Sequence, residues 1–395
     1  MISFAASISR PNFMRKVYLD SAATTQMRPE VIEKMTEVMQ LSYGNPSSTH
    51  AYGRSAKSYI ENARKTVAKY LNVTASEIVF TSGGTEADNL ALNSAVRDLG
   101  VKRIITSKIE HHAVLYTVNQ LQQCYDIEVE YVNLKDCGSI DLDHLVTLMQ
   151  SSDEKTLVSL MHVNNEVGNI LDLQKVGELC HQNGALFHSD TVQSIGHYEI
   201  DLQNTPVDFT AVSAHKFHGP KGVGFAYVRK NSGLKPLIFG GEQERGYRAG
   251  TESVHNIVGL AEALQISYDN LATEKPYTEG LKTYFMEQLE KEIPGVKFNG
   301  GCSNLVDSTY TLVNVCLPVS NDKAAMLLFQ LDLNGIACSK GSACQSGSDK
   351  GSHVLNAILS EEDLNKPSVR FSFSSFNTKE ELDYVVGVLK QFTEN

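Results

Sequence analysis

The feature that most constrains the fold is a regular alternation of short apolar runs with helix-like segments through the first 250 residues. The runs are rich in β-branched and aromatic residues, as in EIVFTS, TLVSLMH and FTAVSAH. Between them lie segments of helical periodicity, at 55–71, 86–99, 111–125 and 173–183. Such alternation predicts an α/β fold with a mostly parallel sheet, because parallel strands need crossover connections. Strands that are apolar throughout indicate helices on both faces, which makes three layers.

The pattern changes after about residue 250. Two long helices, a strand, a helix, a strand and a last helix are predicted there, at 255–270, 276–293, 309–317, 323–333, 368–374 and 379–392. This mixture indicates a smaller α+β domain. We expect residues 28–265 to form the large domain, and residues 16–27 together with 266–395 to form the small one.

Composition disfavours several classes of protein. Lys and Arg number 35 against 46 Asp and Glu, and the resulting net charge of -11 argues against direct binding of nucleic acid or anionic lipid. No apolar run reaches the ~20 residues that span a bilayer. The seven cysteines are odd in number and scattered, which disfavours a disulfide scaffold and favours a reducing, cytoplasmic setting.

The first residues, 1–16, carry basic side chains and no acidic ones. They are consistent with a short targeting segment, with a frayed terminus, or with a start at Met14. We therefore keep residues 1–15 out of the fold prediction.

A glycine-rich segment, TSGGTEADN at 81–89, follows an apolar run and opens a helix-like segment. Glycines let a backbone approach a ligand closely, and a helix N-terminus presents free N–H groups to an anion. The segment predicts a phosphate site, with an ordinary N-cap as the alternative. It matches neither the P-loop nor the dinucleotide-binding pattern, so it does not indicate ATP or NAD.

Lys216 ends an apolar run within SAHKFHGPKG, at 213–222. A lysine in an α/β core is costly unless its ammonium is paired or its amine reacts, as in a Schiff base. The alternative is a turn with Lys216 in solvent. Asp190 ends another apolar run, where ligands of α/β sheets collect. An N-cap or a metal site with His181 and His188 is the alternative there, although the spacing does not suit zinc. Lysine and aspartate together indicate pyridoxal phosphate (PLP), whose ring nitrogen needs an anionic partner.

Cys344 lies in the motif GSAC, inside a Ser/Gly-rich stretch at 339–352. A cysteine in such a loop can reach solvent, whereas a packing cysteine sits in an apolar run, as Cys316 does. Cys338, at the end of IAC, is typical of a packing residue. Lys340 either favours the Cys344 thiolate or is simply solvated.

In order and spacing, these segments resemble the NifS/IscS-type cysteine desulfurases, which are PLP enzymes of the class V aminotransferase group (fold type I). The resemblance runs from about residue 17 to about residue 389. It is carried by LDSAATT (19–25), GNPSSTHAYGR (44–54), TSGGTEADN (81–89), EHHAV (110–114), MHVNNEVG (161–168), HSDTVQ (188–193), SAHKFHGPKGVG (213–224), GGEQERGYRAGT (240–251) and GSACQSGS (341–348). Each motif is modest alone, and the combination is specific.

The resemblance implies roles for individual residues around the cofactor ring. Lys216 resembles the Schiff-base lysine and Asp190 the partner of the pyridinium nitrogen. His111 resembles the imidazole that stacks on the ring and moves protons. Gln193 and Asn165 are similar to residues that contact the cofactor's phenolic oxygen and the substrate.

Further roles concern the phosphate, the substrate and the sulfur. The resemblance implies a phosphate cup formed by Gly84, Thr85, Ser213 and His215. Thr251 matches a residue that reaches the phosphate from the other subunit, which implies a homodimer with composite sites. Arg370 matches the arginine that clamps the substrate carboxylate, a task that suits its planar fork. Cys344 matches the nucleophile that accepts sulfur, and no metal is implied.

The implied activity converts L-cysteine to L-alanine and leaves sulfur as a persulfide on Cys344. The sulfur then passes to an acceptor protein, for iron–sulfur cluster assembly or for thiolation of a cofactor or tRNA, and the sequence does not name that acceptor. One alternative is another class V PLP enzyme, such as a selenocysteine lyase or an aminotransferase; a transaminase has no need of Cys344. Another is a catalytically silent scaffold, which has no need of Lys216, Asp190, His111 and Cys344 together.

Overall fold

The computed structural model of the chain describes residues 16–320, 324–340 and 351–394. Its α-helices are α1 (Pro29–Leu41), α2 (Ala51–Tyr70), α3 (Gly84–Arg97), α4 (His112–Cys124), α5 (Leu142–Gln150), α6 (Leu173–Gln182), α7 (Val254–Asp269), α8 (Leu271–Glu292), α9 (Ala324–Leu333), α10 (His353–Ile358), α11 (Glu361–Leu364) and α12 (Lys379–Glu394). Its strands are β1 (Val17–Tyr18), β2 (Ile78–Thr81), β3 (Arg103–Thr106), β4 (Glu128–Tyr131), β5 (Thr156–Ser159), β6 (Leu186–Asp190), β7 (Phe209–Ser213), β8 (Gly224–Val228), β9 (Lys297–Phe298), β10 (Leu312–Cys316), β11 (Ile336–Ala337) and β12 (Ser368–Ser372).

The larger sheet of the described residues has seven strands, in the order β2-β8-β7-β6-β5-β3-β4. Strand β8 is antiparallel to both of its neighbours. The other adjacent pairs are parallel. The predicted α/β fold with a mostly parallel sheet is therefore confirmed. It follows from this topology that β2, β6 and β7 all end at the same edge of the sheet.

Helices cover both faces of this sheet. Side chains alternate along a strand, so neighbouring residues face opposite layers. Val212 and Phe225 belong to the core cluster that includes residues of α1, α2 and α7. Ala211 and Ala226 belong to a different cluster, with residues of α3. Full burial of a side chain such as Phe225 stabilises the fold by roughly 2–3 kcal/mol, and the small alanines let α3 lie close to the sheet.

A second group of elements packs around the three-stranded antiparallel sheet β12-β10-β9. Phe285 of α8, Phe371 of β12 and Leu389 of α12 share one core cluster. Strand β1 pairs in parallel with β11, which brings Val17 and Leu19 into the same cluster. The start of the described chain is thus packed against elements from its last third. The domain boundaries given above stay a prediction.

Helix α8 begins at Leu271, ahead of the proline where the sequence pattern places its start. Pro276 lies inside the helix, although proline removes a backbone donor and is favoured in the first turn. Tertiary contacts support the turn that precedes it. Leu271 is buried, and Glu274 forms an ion pair with Arg28 at 2.6 Å. Local sequence does not contain these contacts, so it cannot place this helix start.

Within the described ranges, no helix combines the length and the apolar character that a membrane crossing requires. In the same part of the chain, no group of three or more His, Cys, Asp or Glu side chains is arranged to hold a metal ion. Residues 1–15 lie outside the described ranges, and the alternatives for them stay open.

Candidate active site

A cavity of about 240 Å³ lies where β2, β6 and β7 end. Ligands of open α/β sheets collect at the carboxyl ends of parallel strands. The cavity is lined by Ala22, Ala23, Gly84, Thr85, Asp88, His111, Met161, Asn165, Asp190, Val192, Gln193, Ser213, His215, Lys216 and Arg370. It therefore gathers every described residue to which the resemblance assigns a role at the cofactor or the substrate, apart from Thr251.

The phosphate end of the cavity is built by the start of α3. A Cβ atom added to Gly84 would lie 2.5 Å from Cγ2 of Val192, so this position has room for glycine alone. The first turn of a helix has N–H groups without intrahelical acceptors, and these point toward the neighbouring ligand space. Ser213 and His215 line the same cavity, and Nδ1 of His215 lies 3.1 Å from Oγ1 of Thr24. The predicted phosphate residues are thus brought together.

Lys216 follows β7 in a short 3-10 turn, Ala214–Lys216. Its Nζ donates hydrogen bonds to the carbonyl oxygens of Ala22 at 2.6 Å and Ala23 at 2.9 Å. Both acceptors belong to the motif near the start of the chain. The lysine is half-buried and faces the cavity, so the alternative of a solvated turn is not what the fold produces.

Asp190 is the last residue of β6 and is 5% exposed. Its Oδ1 accepts a hydrogen bond from the Val192 backbone N–H at 2.9 Å. Burial raises the pKa of Asp190 to about 6, opposed by that hydrogen bond and by the charge of Lys216. Asp190 is consequently ionised at neutral pH despite its burial.

Two more carboxyl groups lie near Asp190, and sequence reasoning missed both. Asp88 of α3 lines the cavity, and burial, Asp190 and Glu110 raise its pKa well above the usual value. Burial raises the pKa of Glu110 to about 8, and Asp190 adds to the effect. Carboxyls that share a dry region cannot all ionise. Glu110, with its pKa of about 8, therefore holds a proton at neutral pH, the raised pKa of Asp88 favours its protonated form, and Asp190 carries the negative charge.

His188 lies beside this acidic group. Its Nε2 is 3.3 Å from Oδ1 of Asp88, and its Nδ1 is 2.9 Å from Oγ of Ser159. Burial lowers the pKa of His188 to about 3, so the imidazole is neutral. It adds no positive charge that would compete for Asp190. The sequence had offered His188 as a metal ligand, and its contacts are instead those of a neutral core histidine.

His111 caps helix α4, and its Nδ1 accepts the backbone N–H of Ala113 at 3.1 Å. An Nδ1 that accepts a hydrogen bond carries no proton, which places the proton of the neutral ring on Nε2. Burial first, then the charges of Lys216 and His353, lower the pKa of His111 to about 4. The side chain is thus a neutral imidazole with a defined tautomer at the cavity wall.

Asn165 and Gln193 also line the cavity and hold defined positions there. Oδ1 of Asn164 accepts the backbone N–H groups of Glu166 and Val167, which closes a turn that presents Asn165 to the cavity. Among the described residues, Oδ1 of Asn165 is buried without a partner. Nε2 of Gln193 donates to the carbonyl of Ala22 at 2.9 Å. A buried acceptor facing a cavity is a feature that a ligand can satisfy.

Arg370 belongs to β12 and is 1% exposed. Its Nη1 donates to the carbonyl of Asn165 at 2.7 Å, and its Nη2 donates to Oδ1 of Asp20 at 2.9 Å. Nε is buried, with no partner in the described ranges. The guanidinium is thus fixed at the cavity wall with donors to spare.

Thr251 lies elsewhere. It is exposed and lines a separate cavity of about 140 Å³, together with Ser82 and Arg248. Arg248 in turn pairs with Glu86 of the first turn of α3, at 2.8 Å. Within one chain, Thr251 therefore does not reach the cavity that holds Lys216.

The predicted nucleophile, Cys344, lies outside the described residues, so its position stays a prediction. Lys340, just before that stretch, is exposed. Burial raises the pKa of the Cys338 thiol to about 12, and the charge of Asp20 adds to this. Cys338 is accordingly a thiol and not a thiolate at neutral pH, as a packing role requires.

The fold and this cavity define a member of a known enzyme class. Residues 17–385 match the family model of the class V aminotransferases. The chain therefore belongs to the class V aminotransferase family, and within it to the NifS/IscS-type cysteine desulfurases, as the motifs predicted.

Individual relatives support this placement. A protein named cysteine desulfurase IscS from Dictyoglomus turgidum is 40% identical over 382 residues, which cover 96% of this chain and 95% of the relative. A solved structure of a NifS-like protein has a TM-score of 0.87 at 34% identity, covering 96% of this chain and all of the other. A structure described as SspA in complex with cysteine has a TM-score of 0.79 at 32% identity, over 92% of this chain and all of that one.

Proposed function

We propose that this chain is a PLP-dependent cysteine desulfurase that converts L-cysteine to L-alanine and holds the sulfur as a persulfide on Cys344. The observation that carries the proposal is the meeting of Lys216, ionised Asp190 and Arg370 around one cavity of about 240 Å³. An amine, an anion and a carboxylate-binding guanidinium are the groups that amino-acid chemistry on PLP needs.

The residues present fit PLP. The N-terminus of α3 at Gly84 and Thr85 lines the cavity and would offer its backbone N–H groups to the phosphate, and Gly84 lets this turn lie close to Val192, since a Cβ there would be 2.5 Å from Cγ2 of Val192. Asp190 supplies the anion for the ring nitrogen, and Lys216 the amine for the aldehyde. Oδ1 of Asn165 is buried and has no partner among the residues that the structure describes, so it can supply a further polar contact. When bound, PLP withdraws electrons from the substrate α-carbon and so eases removal of its proton.

Protons are moved by two side chains of the cavity wall. Nζ of Lys216 would take the proton from the substrate Cα and hold it at the cavity wall, where PLP would supply the electron sink. His111 assists from the wall as a neutral imidazole, because the lowered pKa keeps the ring uncharged and leaves the proton on Nε2. Asp190 keeps its charge throughout, since Asp88 and Glu110 hold the protons of the neighbouring carboxyls.

The substrate is oriented by its carboxylate. Arg370 binds it through the guanidinium N–H groups that Asn165 and Asp20 leave unused. The Cys344 thiolate then attacks the substrate sulfur. A new S–S bond forms as the Cβ–S bond of the substrate breaks, and the substrate carbon takes a proton. L-Cysteine and the Cys344 thiol become L-alanine and the Cys344 persulfide, with no outside oxidant or reductant.

The functional unit is proposed to be a cytoplasmic homodimer. Thr251 is exposed and outside the cavity of its own chain, which fits a residue that completes the phosphate site of a partner. A sulfur-acceptor protein takes the persulfide sulfur for iron–sulfur cluster assembly or thiolation. The net charge of -11 favours a protein intermediary over direct contact with nucleic acid.

The experiment that tests this function measures alanine release from L-cysteine by PLP-loaded protein. The parental protein should release alanine, and Lys216→Ala should reduce the rate by at least about a thousandfold, because the amine that moves the Cα proton is gone. Lys230→Ala, which removes an exposed lysine, serves as the control and should keep the parental rate. Equal rates for Lys216→Ala and the parental protein would overturn the proposal.

A further inference from the structure

Arg370 is oriented by a carboxylate that lies behind the cavity wall. Oδ1 of Asp20 accepts from Nη2 of Arg370 at 2.9 Å, with side chains 18% and 2% exposed. The cavity lining includes Arg370 but not Asp20. A buried guanidinium without a counter-charge is strongly unfavourable. Asp20 therefore compensates the charge of Arg370 without lining the ligand space itself.

Asp20 is itself held by two other segments. Its Oδ1 also accepts from Oγ of Ser339 at 2.8 Å. The backbones of Ser339 and Arg370 exchange hydrogen bonds of 3.2 and 2.7 Å. Next to Asp20, the N–H of Ala22 donates to Oγ of Ser372 at 2.9 Å. The carboxylate is thus fixed by contacts with the segment that follows β11 and with β12.

The geometry leaves Arg370 able to bind a second anion. A guanidinium has five N–H groups. The contacts with the Asn165 carbonyl and with Asp20 use one hydrogen on each Nη. Nε is buried and has no partner within the described ranges. A ligand carboxylate and Asp20 can therefore share the guanidinium without competing for the same hydrogens.

We propose that Asp20 is a positioning residue for substrate binding, which holds the Arg370 guanidinium in the orientation that a substrate carboxylate requires. The inference rests on the proposed function, because it takes Arg370 as the carboxylate-binding group. It adds that selectivity for a free carboxylate depends on a side chain that does not touch the substrate.

The test uses PLP-loaded protein and two probes, L-alanine and L-alaninamide, whose dissociation constants are measured by calorimetric titration. The amide lacks the carboxylate and so does not need Arg370. Asp20→Asn keeps the size of the side chain and its acceptor for Ser339 but removes the charge. It should weaken L-alanine binding tenfold or more, and L-alaninamide binding should stay within twofold. Asp98→Asn is the matched control, because it removes the aspartate of the Arg97–Asp98 ion pair, which lies outside the cavity.

A second variant separates charge from folding. Asp20→Glu keeps the negative charge and should bind L-alanine more tightly than Asp20→Asn does. In steady state, Asp20→Asn should raise KM for L-cysteine while kcat changes by less than threefold. Such a split is not the signature of a merely damaged fold.

Several results would overturn the inference. Unchanged L-alanine binding by Asp20→Asn would mean that Asp20 does not contribute to binding of the ligand carboxylate, and tighter binding would mean that it competes with that carboxylate for Arg370. Equal weakening of both probes would mean that Asp20 shapes the cavity in general. Weaker L-alanine binding by Asp20→Glu than by Asp20→Asn would remove the charge argument. Failure of the proposed function would be recognised by a different result: the parental protein would form no alanine from L-cysteine. The comparison of the two probes is independent of that result, because it involves no sulfur chemistry.

Discussion

At the scale of single residues, the cavity is governed by which of three buried carboxyl groups keeps a proton. Burial raises the pKa values of Asp88, Glu110 and Asp190, and the charge of Asp190 raises those of Asp88 and Glu110 further. Asp190 has a pKa of about 6 and Glu110 a pKa of about 8, so between these values one is charged and the other is not. His188 is neutral, so it adds no positive charge that would change which of these carboxyl groups keeps a proton.

The raised pKa of Glu110 predicts that the stability of the protein depends on pH. The variant Glu110→Gln should remove this contribution to the pH dependence. The Glu110 carboxyl has a usual pKa of 4.5 in the unfolded chain and about 8 in the folded one. Between those values the folded protein keeps a proton that the unfolded chain has lost, so the stabilising contribution is complete below 4.5 and is lost as pH rises through 8. The limiting slope is about 1.4 kcal/mol per pH unit.

The measurement is the free energy of unfolding in urea at pH 5.5, 6.5 and 7.5, for parental protein and Glu110→Gln at equal PLP loading. The glutamine keeps the acceptor used by the Ser107 hydroxyl and the Met161 N–H. The variant should become progressively more stable relative to the parental protein as the pH rises. A difference that stays constant with pH would contradict the assignment of a proton to Glu110.

At the scale of elements, the site depends on close approach between strands and the start of α3. The loop before α3 lies against β8, where a Cβ on Gly224 would be 2.1 Å from the Val212 carbonyl oxygen and 2.8 Å from Cα of Gly83. Backbone atoms cannot yield as a flexible side chain can. The glycine is therefore required by packing between β7, β8 and the phosphate end of the cavity.

Gly224→Ala should accordingly destabilise the protein by roughly 1–3 kcal/mol, the usual cost of overpacking, and should weaken PLP binding. Gly280→Ala is the control, because Gly280 is exposed on α8 and a Cβ there meets no atom within 4 Å. Alanine in a helix should stabilise the protein by up to about 1 kcal/mol. Urea unfolding and PLP titration measure both effects. Equal free energies of unfolding for Gly224→Ala and the parental protein would contradict this, because they would show that the backbone can make room for a Cβ without loss of stability.

At the scale of the whole molecule, the sequence predicts two kinds of feature: those that follow from local periodicity, and those that follow from the position of a residue at the end of a strand. Alternating strands and helices were enough for the α/β class, and parallel strand ends place Asp190 and Lys216 near a ligand. The partners of those residues could not be predicted in the same way. Glu110 and Asp20 lie within the motifs EHHAV and LDSAATT, but neither motif shows that Glu110 lies near Asp190 or that Asp20 meets Arg370 across 350 residues of chain. The antiparallel orientation of β8 and the start of α8 at Leu271, ahead of Pro276, likewise arise from tertiary contacts.

In the proposed function, sulfur released from the substrate in the cavity at the large sheet is bound by Cys344, in the last third of the chain. The most direct test of this claim is mass spectrometry of the PLP-loaded protein after brief treatment with L-cysteine. We expect one added sulfur atom on the Cys344 peptide, none on the peptide of the exposed Cys124, and one L-alanine formed for each sulfur bound. Cys344→Ala should carry no added sulfur. Alanine formation at the parental rate by Cys344→Ala, or sulfur bound first at another cysteine, would contradict it.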